Sequence, residues 1–523
     1  MRGFLNKLQV ILFFGLFAVP PSAFCQVDTA WVRYYNGAGD KTDEMRGIAV
    51  DDSGNVVVTG YSGNGSITGE LITIKYDRNG DQLWFRTYYG VVNTGDYPAL
   101  LTMDKKGNVY VTGGVGAGND CITIKYDSNG NQIWAARYNG PVNGVDIGLR
   151  LTVDGNGNVY VVGISQGVVR NCSYFCCTYY DFITIKYDSN GNQLWAARYV
   201  PPGGDDYWTR AHLIEVDSMG SVYVGGYTRH CQGPTEWITI KYDSTGTQLW
   251  VRSDIAWPST NSIGAPIVLK IDAGGHIYLT GGSRDTITSL DYTTVKYDLA
   301  GNLLWVSRFN GIANHDDFAT AMALDSQNSI YVTGFSYTGA ANHDDIVTIK
   351  YDLGGNQLWA RSYNGPGNKK DQGFGISLDS AGNVYVAGIS FGADSTYNYV
   401  ILKYDSSGNF LWEKRYAGPV FYYAYPKLTI DQTGNLYLAG TATQNAWDFV
   451  TIKYSPLPAL KGDLNLDGVL SLADLVLMLN LIFGGLAPPA APSAADLNCN
   501  GSLSGADVVT LLQMLYASAS PPC

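Results

Sequence analysis

Histidine is scarce, at five in 523 residues, and no His-Glu-x-x-His or comparable spacing occurs. A nucleophile elbow, a phosphate loop and a spaced catalytic pair are also missing, so no catalytic residue is assigned from sequence. Acids are plentiful, and a glycosidase pair among them would be defined only by its separation in three dimensions. Basic charge is short: Lys and Arg number 34 against 46 Asp and Glu, giving a net charge of −12 and a pI near 4.8. That speaks against nucleic acid as a partner, whose binding needs a concentrated basic footprint. Charged residues of both signs make up only 15% of the chain while glycines reach 62, which suits a turn-rich, all-β protein.

Long apolar runs are missing beyond the N-terminus, so no transmembrane segment is expected. The one such run, Val10 to Val19, follows Arg2 and Lys7 and is followed by Pro20, Pro21, Ser22 and Ala23. This order reads as a signal peptide over residues 1–25, with cleavage after Cys25, and places the mature chain outside the cell, secreted or surface-associated. Export permits disulfides. Their connectivity among Cys172, Cys176, Cys177, Cys231, Cys499 and Cys523 is not fixed by sequence. Cys121 reads as a small buried apolar residue on a strand.

What the chain has in abundance is one short stretch written eight times. Its clearest copy is Ile122 to Tyr138, two apolar runs flanking Asp127-Ser128-Asn129-Gly130-Asn131. Gly and Asn take positive φ cheaply and Asp bonds its own turn backbone, so the cluster predicts a hairpin. Ile, Thr, Tyr and Trp in the flanks suit a pleated surface. The first strand's lysine recurs at Lys75, Lys125, Lys186, Lys241, Lys296, Lys350, Lys403 and Lys453, in steps of 50 to 61 residues. The second strand's tryptophan recurs at Trp31, Trp84, Trp134, Trp195, Trp250, Trp305, Trp359 and Trp412. Two further strands precede each lysine strand. One ends in Asp51, Asp104, Asp154, Asp217, Asp272, Asp325, Asp379 or Asp431, and the next reads like Asn108 to Gly113.

Four short hairpin-linked strands per period make one blade of a β-propeller, and the array over residues 29–454 predicts eight blades. The array enters on an orphan Trp strand and leaves on an orphan Lys strand. Trp31–Tyr34 is therefore expected antiparallel beside Thr451–Tyr454, completing the eighth blade and removing exposed sheet edges. The recurrent pattern Asp-x-x-Gly-Asn-Val-Tyr-Val-x-Gly, then Lys-Tyr-Asp-x-x-Gly-x-x-Leu-Trp, resembles the SBBP-type bacterial β-propeller repeat family. The resemblance implies the fold and little about chemistry.

The recurrent lysines, and the arginines after each Trp (Arg33, Arg86, Arg137, Arg198, Arg252, Arg308, Arg361, Arg415), are read as structural, paired with Asp of the same or the next blade. Asp77, Asp127, Asp188, Asp243, Asp298, Asp352 and Asp405 are turn formers. A further acidic set, Asp43, Asp96, Asp146, Asp205, Asp206, Asp316, Asp317 and Asp371, precedes the Asp strands. It would either ring one channel mouth and hold a cation or be paired off within the fold, the second being favoured. Asn314–Asp317 and Asn342–Asp345 are two Asn-His-Asp-Asp copies, read as strand-start residues. Variable loops are where a propeller carries function. The richest runs from Ser165 to Tyr180. Its Tyr174, Phe175, Tyr179 and Tyr180, with Phe421, Tyr422, Tyr423 and Tyr425, would either stack on sugars or cap sheet ends.

Composition changes at a linker, residues 455–460. Residues 461–523 then carry two twelve-residue calcium loops. Hard oxygens at the required spacing come from Asp463, Asn465, Asp467, the Val469 carbonyl, Ser471 and Asp474, and again, 33 residues on, from Asp496, Asn498, Asn500, Ser502, Ser504 and Asp507. Leu475, Leu479 and Ile482, then Val508, Leu511, Leu512 and Leu515, give each loop a following helix. Two calcium ions are expected, the second held more weakly because its loop has two carboxylates against three. These paired units resemble a type I dockerin. That implies docking to a cohesin-type scaffold protein through Leu472, Ala473, Gly505 and Ala506, which stand where cellulosomal dockerins often have Ser-Thr. The whole is then all-β: an eight-bladed propeller of four-stranded blades closed by its N-terminal strand, followed by a small α-helical calcium-binding dockerin-like domain. It reads as a secreted binding or scaffold protein offering loops to a glycan, cell-surface or protein ligand. The alternative, implied by the dockerin resemblance, is a carbohydrate-active enzyme, glycoside hydrolase or polysaccharide lyase, or an accessory subunit of a polysaccharide-degrading complex.

Overall fold

The computed structural model describes residues 27–37, 42–63, 68–92, 100–115, 120–167, 180–201, 207–230, 235–257, 264–284, 289–337, 343–416, 418, 420, 425–443, 447–456, 472–483 and 505–517. The chain divides into two compact units. One holds Thr29–Phe410 and Arg415–Ser455; the other holds Met1–Asp28, Leu411–Lys414 and Pro456–Cys523.

The first unit is built from one blade plan. In blade 3, β10 (Asp146–Val153), β11 (Val159–Gln166), β12 (Tyr180–Tyr187) and β13 (Gln193–Tyr199) pair in that order, antiparallel throughout. The others repeat it over residues 43–92, 100–138, 207–257, 266–309, 317–363 and 371–416. The single pair Val91↔Val115 links blades 1 and 2 into one sheet.

Each blade is layered by exposure. The two middle strands are buried almost end to end, because neighbouring blades cover both their faces. The outer strand alternates exposed and covered residues, as a half-buried edge does. The innermost strand carries a β-bulge at the same place in six blades, Met45/Gly47, Gly148/Arg150, Ala211/Leu213, Pro266/Val268, Ala319/Ala321 and Gly373/Gly375, while the shorter described strands of blades 2 and 8 pair in continuous register. Bulges bend and re-aim a strand, as a sheet must where it narrows at a propeller's axis.

The ring closes as the orphan strands require. In blade 8, β1 (Val27–Tyr35) hydrogen-bonds beside β32 (Trp447–Pro456), which pairs with β31 (Leu436–Thr443) and then β30 (Lys427–Ile430). Each innermost strand also touches the next around the axis: β2 (Asp43–Val50), β6 (Leu100–Met103), β10, β14 (Tyr207–Val216), β18 (Pro266–Ile271), β22 (Asp317–Leu324), β26 (Asp371–Leu378) and β30, which returns to β2.

In the second unit, two helices, α1 (Leu472–Phe483) and α2 (Gly505–Ala517), follow the two expected calcium loops. Met478 and Leu511 are their fully buried centre, packed by Leu475, Leu477, Ile482, Val508, Met514 and Leu515. Met478, rather than the expected Leu479, is the fully buried residue of α1.

Candidate functional site

The repeat's own polar residues are consumed by the fold. In the turn Asp127–Asn131, Asp127 accepts the backbone N–H groups of Asn129 and Asn131 and the Asn131 side-chain amide. These bonds, led by the one from the Asn131 amide, hold the Asp127 carboxyl below the usual range. The turns after the Asp strands use the same device, and there a buried tyrosine adds a bond, as Tyr110 does to Asp104. The turn aspartates are thus turn formers, as their sequence context indicates.

Seven of the eight recurrent tryptophans each lock one blade to the next. Trp134 donates Nε1–H to the Ser189 carbonyl in the following blade at 3.1 Å, between the rings of Tyr110 and Tyr187. Its indole lies flat on Gly191, where a Cβ would come within 2.7 Å of the ring and where φ is +87°. Only glycine meets both demands. Trp31, Trp84, Trp195, Trp250, Trp305 and Trp359 donate equivalently to Arg78, Ser128, Ser244, Leu299, Leu353 and Ser406.

The lysines and arginines depart from the expected Asp pairing. Of the recurrent lysines, Lys75 does meet an aspartate, Asp51 at 3.3 Å. Lys125, Lys186, Lys241, Lys296 and Lys350 instead donate to the turn carbonyl that takes the tryptophan, and lie over the blade's tyrosine ring. A fixed carbonyl at an interblade seam suits a compact ammonium on a long stem. The arginines split by register. Arg33, Arg86, Arg252 and Arg361 stand two places after Trp, stack on it and reach the next blade's turn glycine carbonyl. Arg137, Arg198, Arg308 and Arg415 stand three places after, on the opposite face. They turn into their own blade, to Asp120, to Ser165 and Asp181, to Ser283, and to Ser390. One residue of slip moves a strand side chain to the other face.

The acidic set resolves into loop staples. Asp43, Asp146, Asp317 and Asp371 are fully buried. Each accepts the N–H of the glycine six residues before it, Gly37, Gly140, Gly311 or Gly365, at 2.6–2.7 Å. A serine on the neighbouring strand, as Ser165 for Asp146, completes each. Burial pushes the Asp317 and Asp371 carboxyls up to about 6. Asp96, Asp205 and Asp206 lie outside the described residues. In the Asn-His-Asp-Asp copies, Asp316 accepts the Leu290 N–H, Asp344 accepts Gln372 and Asp345 accepts Ser362. Among the described residues no three His, Cys, Asp or Glu side chains gather as a metal centre would need.

Sequence reading missed a second acidic position. Five places before each recurrent lysine stand Glu70, Asp120, Asp181, Glu236, Asp291, Asp345 and Asp448, with Asn398 in blade 7. Aligning the repeats on the lysine would have found it. A hollow of about 600 Å³ between blades 3 and 4 is lined by Asp154, Asn158, Tyr160, Lys186, Asp217 and Ser244, which the repeat's turns and seams already engage. Cys121 is a buried free thiol, pushed up to about 12 by desolvation. The other expected cysteines, and Tyr174, Phe175, Tyr179, Phe421, Tyr422 and Tyr423, lie outside the described residues. Tyr180 is half-buried, and Tyr425 is exposed against Phe374.

In the helical unit, Asp474 and Asp507 fall in the first turns of α1 and α2 and are wholly buried. Each stands four residues before the helix's central core residue, Met478 or Leu511. Leu472 and Ala473 open α1, and Gly505 and Ala506 open α2. The other ten loop ligands, Asp463, Asn465, Asp467, Val469, Ser471, Asp496, Asn498, Asn500, Ser502 and Ser504, lie outside the described residues.

No curated protein matches the chain. Among solved structures, a polysaccharide lyase described as an ulvan lyase aligns at a TM-score of 0.39 and 12% identity, covering 67% of this chain and 90% of that one. A protein of unknown function from Dyadobacter fermentans aligns at 0.38 and 8%, covering 82% and 99%. An apocarotenoid oxygenase from Synechocystis aligns at 0.39 and 10%, covering 74% and 93%. At TM-scores of this size the likeness says nothing about chemistry. Residues 30–67 match the family model described as a beta-propeller repeat, SBBP, and with eight four-stranded blades in its fold the chain is a β-propeller repeat protein.

Proposed function

We propose that the chain is a secreted, non-enzymatic binding protein: the propeller offers its variable loops to a glycan or protein, and a calcium-dependent module attaches it to a cohesin-type partner. The observation that carries the attachment is the matched burial of Asp474 and Asp507, each the twelfth residue of a calcium-type loop and each in the first turn of a helix. A carboxylate in a helix's first turn is favoured by the helix N-terminus, and the twelfth position of a calcium-type loop is where such a carboxylate supplies ligand oxygens. The remaining loop donors are all oxygens, which suits calcium. Support on the propeller side is that its recurrent acids and bases are engaged in turns and seams, leaving the variable loops to differ from blade to blade.

Calorimetry on the full chain tests this. Calcium should titrate two sites of unequal affinity, and Asp474→Ala should abolish the tighter. Capture by a cohesin should be lost with a chelator. Absence of calcium binding would overturn the attachment, and release of reducing sugar by the propeller would overturn its non-enzymatic reading.

A further inference from the structure

The hollow of about 600 Å³ between blades 3 and 4 stands where two repeat positions depart from their usual residue. The first is the place just after the Asp that ends each innermost strand. Blades 1, 2 and 8 carry Asp52, Lys105 and Gln432 there, and Gln432 donates across its seam to Asp52 at 3.1 Å. Blade 3 carries Gly155, which lines the hollow. Its backbone lies outside the left-handed region, and a Cβ built on it would meet no atom within 4 Å. Neither conformation nor packing asks for glycine at this place, and the missing side chain leaves the seam open.

The second is the residue four after that Asp. In blades 1, 2, 3, 7 and 8 it is Asn, whose side-chain amide bonds the Asp Oδ2, as Asn158 does to Asp154 at 2.7 Å. Blade 4 carries Ser221. Asp217 Oδ1 still accepts the Met219 and Ser221 N–H groups, but among the described residues Oδ2 accepts only the Tyr223 hydroxyl, at 3.1 Å. A carboxylate oxygen has room for two donors, and Asp217 lines the hollow. Lys186 lines it as well and is only 8% exposed. It donates to the Ser244 carbonyl at 3.2 Å and lies over the Tyr160 ring, which leaves two of its three N–H groups. Val153, Val216 and Met219 add apolar surface to the same hollow.

We propose that this hollow binds one neutral sugar unit. A hydroxyl both donates and accepts, so neighbouring hydroxyls can give Asp217 Oδ2 its second donor and take a spare Lys186 N–H, while the C–H face of the ring meets the valines and Met219. Asp217 and Lys186 already hold partners that offset their charge, so what remains is a demand for single hydrogen bonds rather than for a counter-ion. The volume falls in the range of small-molecule sites. The hollow is built from the turns after the first and third strands of its blades; the variable loop of blade 3 joins the opposite strand ends, at Gln166 and Tyr180. The site is therefore separate from any ligand of the variable loops, and either can fail without the other.

Isothermal titration and saturation-transfer NMR of the full chain with glucose, galactose, mannose and xylose test it, with glycine as the charged comparison. At least one sugar should bind, at one site per chain, and glycine should not. Ser221→Asn rebuilds the amide bond to Asp217 and should weaken the sugar about fivefold or more while melting no lower than the parent. Gly155→Gln fills the opening and should abolish binding, again without a fall in Tm. Ser329→Asn, the same exchange in blade 6, should leave the affinity unchanged. Binding of none of the four sugars, a preference for glycine, or a sugar affinity that neither Ser221→Asn nor Gly155→Gln moves overturns the proposal.

Discussion

Asp371 shows how a residue that looks like a ligand is spent on structure. It is fully buried, accepts Gly365 and Ser390, and pins the loop before its strand. Desolvation raises its carboxyl to about 6, above its ordinary 3.8, and Asp317 behaves alike. With folded values above unfolded ones, the native state binds more protons across that window. These groups therefore make stability fall as pH rises from 3.8 to about 6, and level off above. Asp371→Asn keeps one acceptor and removes the titration. Its urea midpoint should change less than the parent's between about pH 4 and 6.5. An equally steep dependence in the variant would show that another group carries it.

At the scale of the strand, a one-residue shift decides what an arginine does. Arg198 stands three places after its tryptophan and reaches back to Asp181 at 2.6 Å and to Ser165, which itself holds Asp146. Both partners of the pair are mostly shielded, at 21% and 13% side-chain exposure. Arg137 occupies the equivalent place in blade 2 but is 55% exposed. Arg198→Ala leaves a shielded carboxylate without its cation and should cost about 2 kcal/mol. Arg137→Ala should cost no more than about 0.5 kcal/mol. Chemical denaturation of the two variants compares them directly, and equal costs would refute the two-face reading. The positions of these arginines were legible in the chain; their partners were not, because the pattern repeats the residue type while the register slips between Trp+2 and Trp+3.

At the scale of the whole propeller, one strand from the front of the array completes the last blade. Trp31 sits between Tyr437 of blade 8 and Tyr76 of blade 1 and donates to Arg78, as Trp134 does two blades on. The Tyr437 hydroxyl also donates to the Gly54 carbonyl, and Lys453 to Arg78 at 2.9 Å. Trp31→Ala removes a buried ring and the seam bond together and should cost about 4 kcal/mol, with a broadened calorimetric transition. A cost no larger than that of Leu83→Ala, a half-exposed outer-strand residue, would mean the seam does not hold the ring.

The chain by itself determined the number of blades, the order of strands within them, the turn chemistry and the strand that closes the ring. Each of these is local: period-two alternation, an Asp-x-x-Gly turn and a repeat spacing are legible within about one blade length. Tertiary structure alone decided which carbonyls the lysines meet and that Asp43, Asp146, Asp317 and Asp371 staple loops. Those relations join groups far apart in the chain, as Trp31 and Arg78 are 47 positions apart, and they depend on how neighbouring sheets are packed. A repeat names the residue that recurs, but its bonding partner is set by the angle and register at which the next sheet arrives.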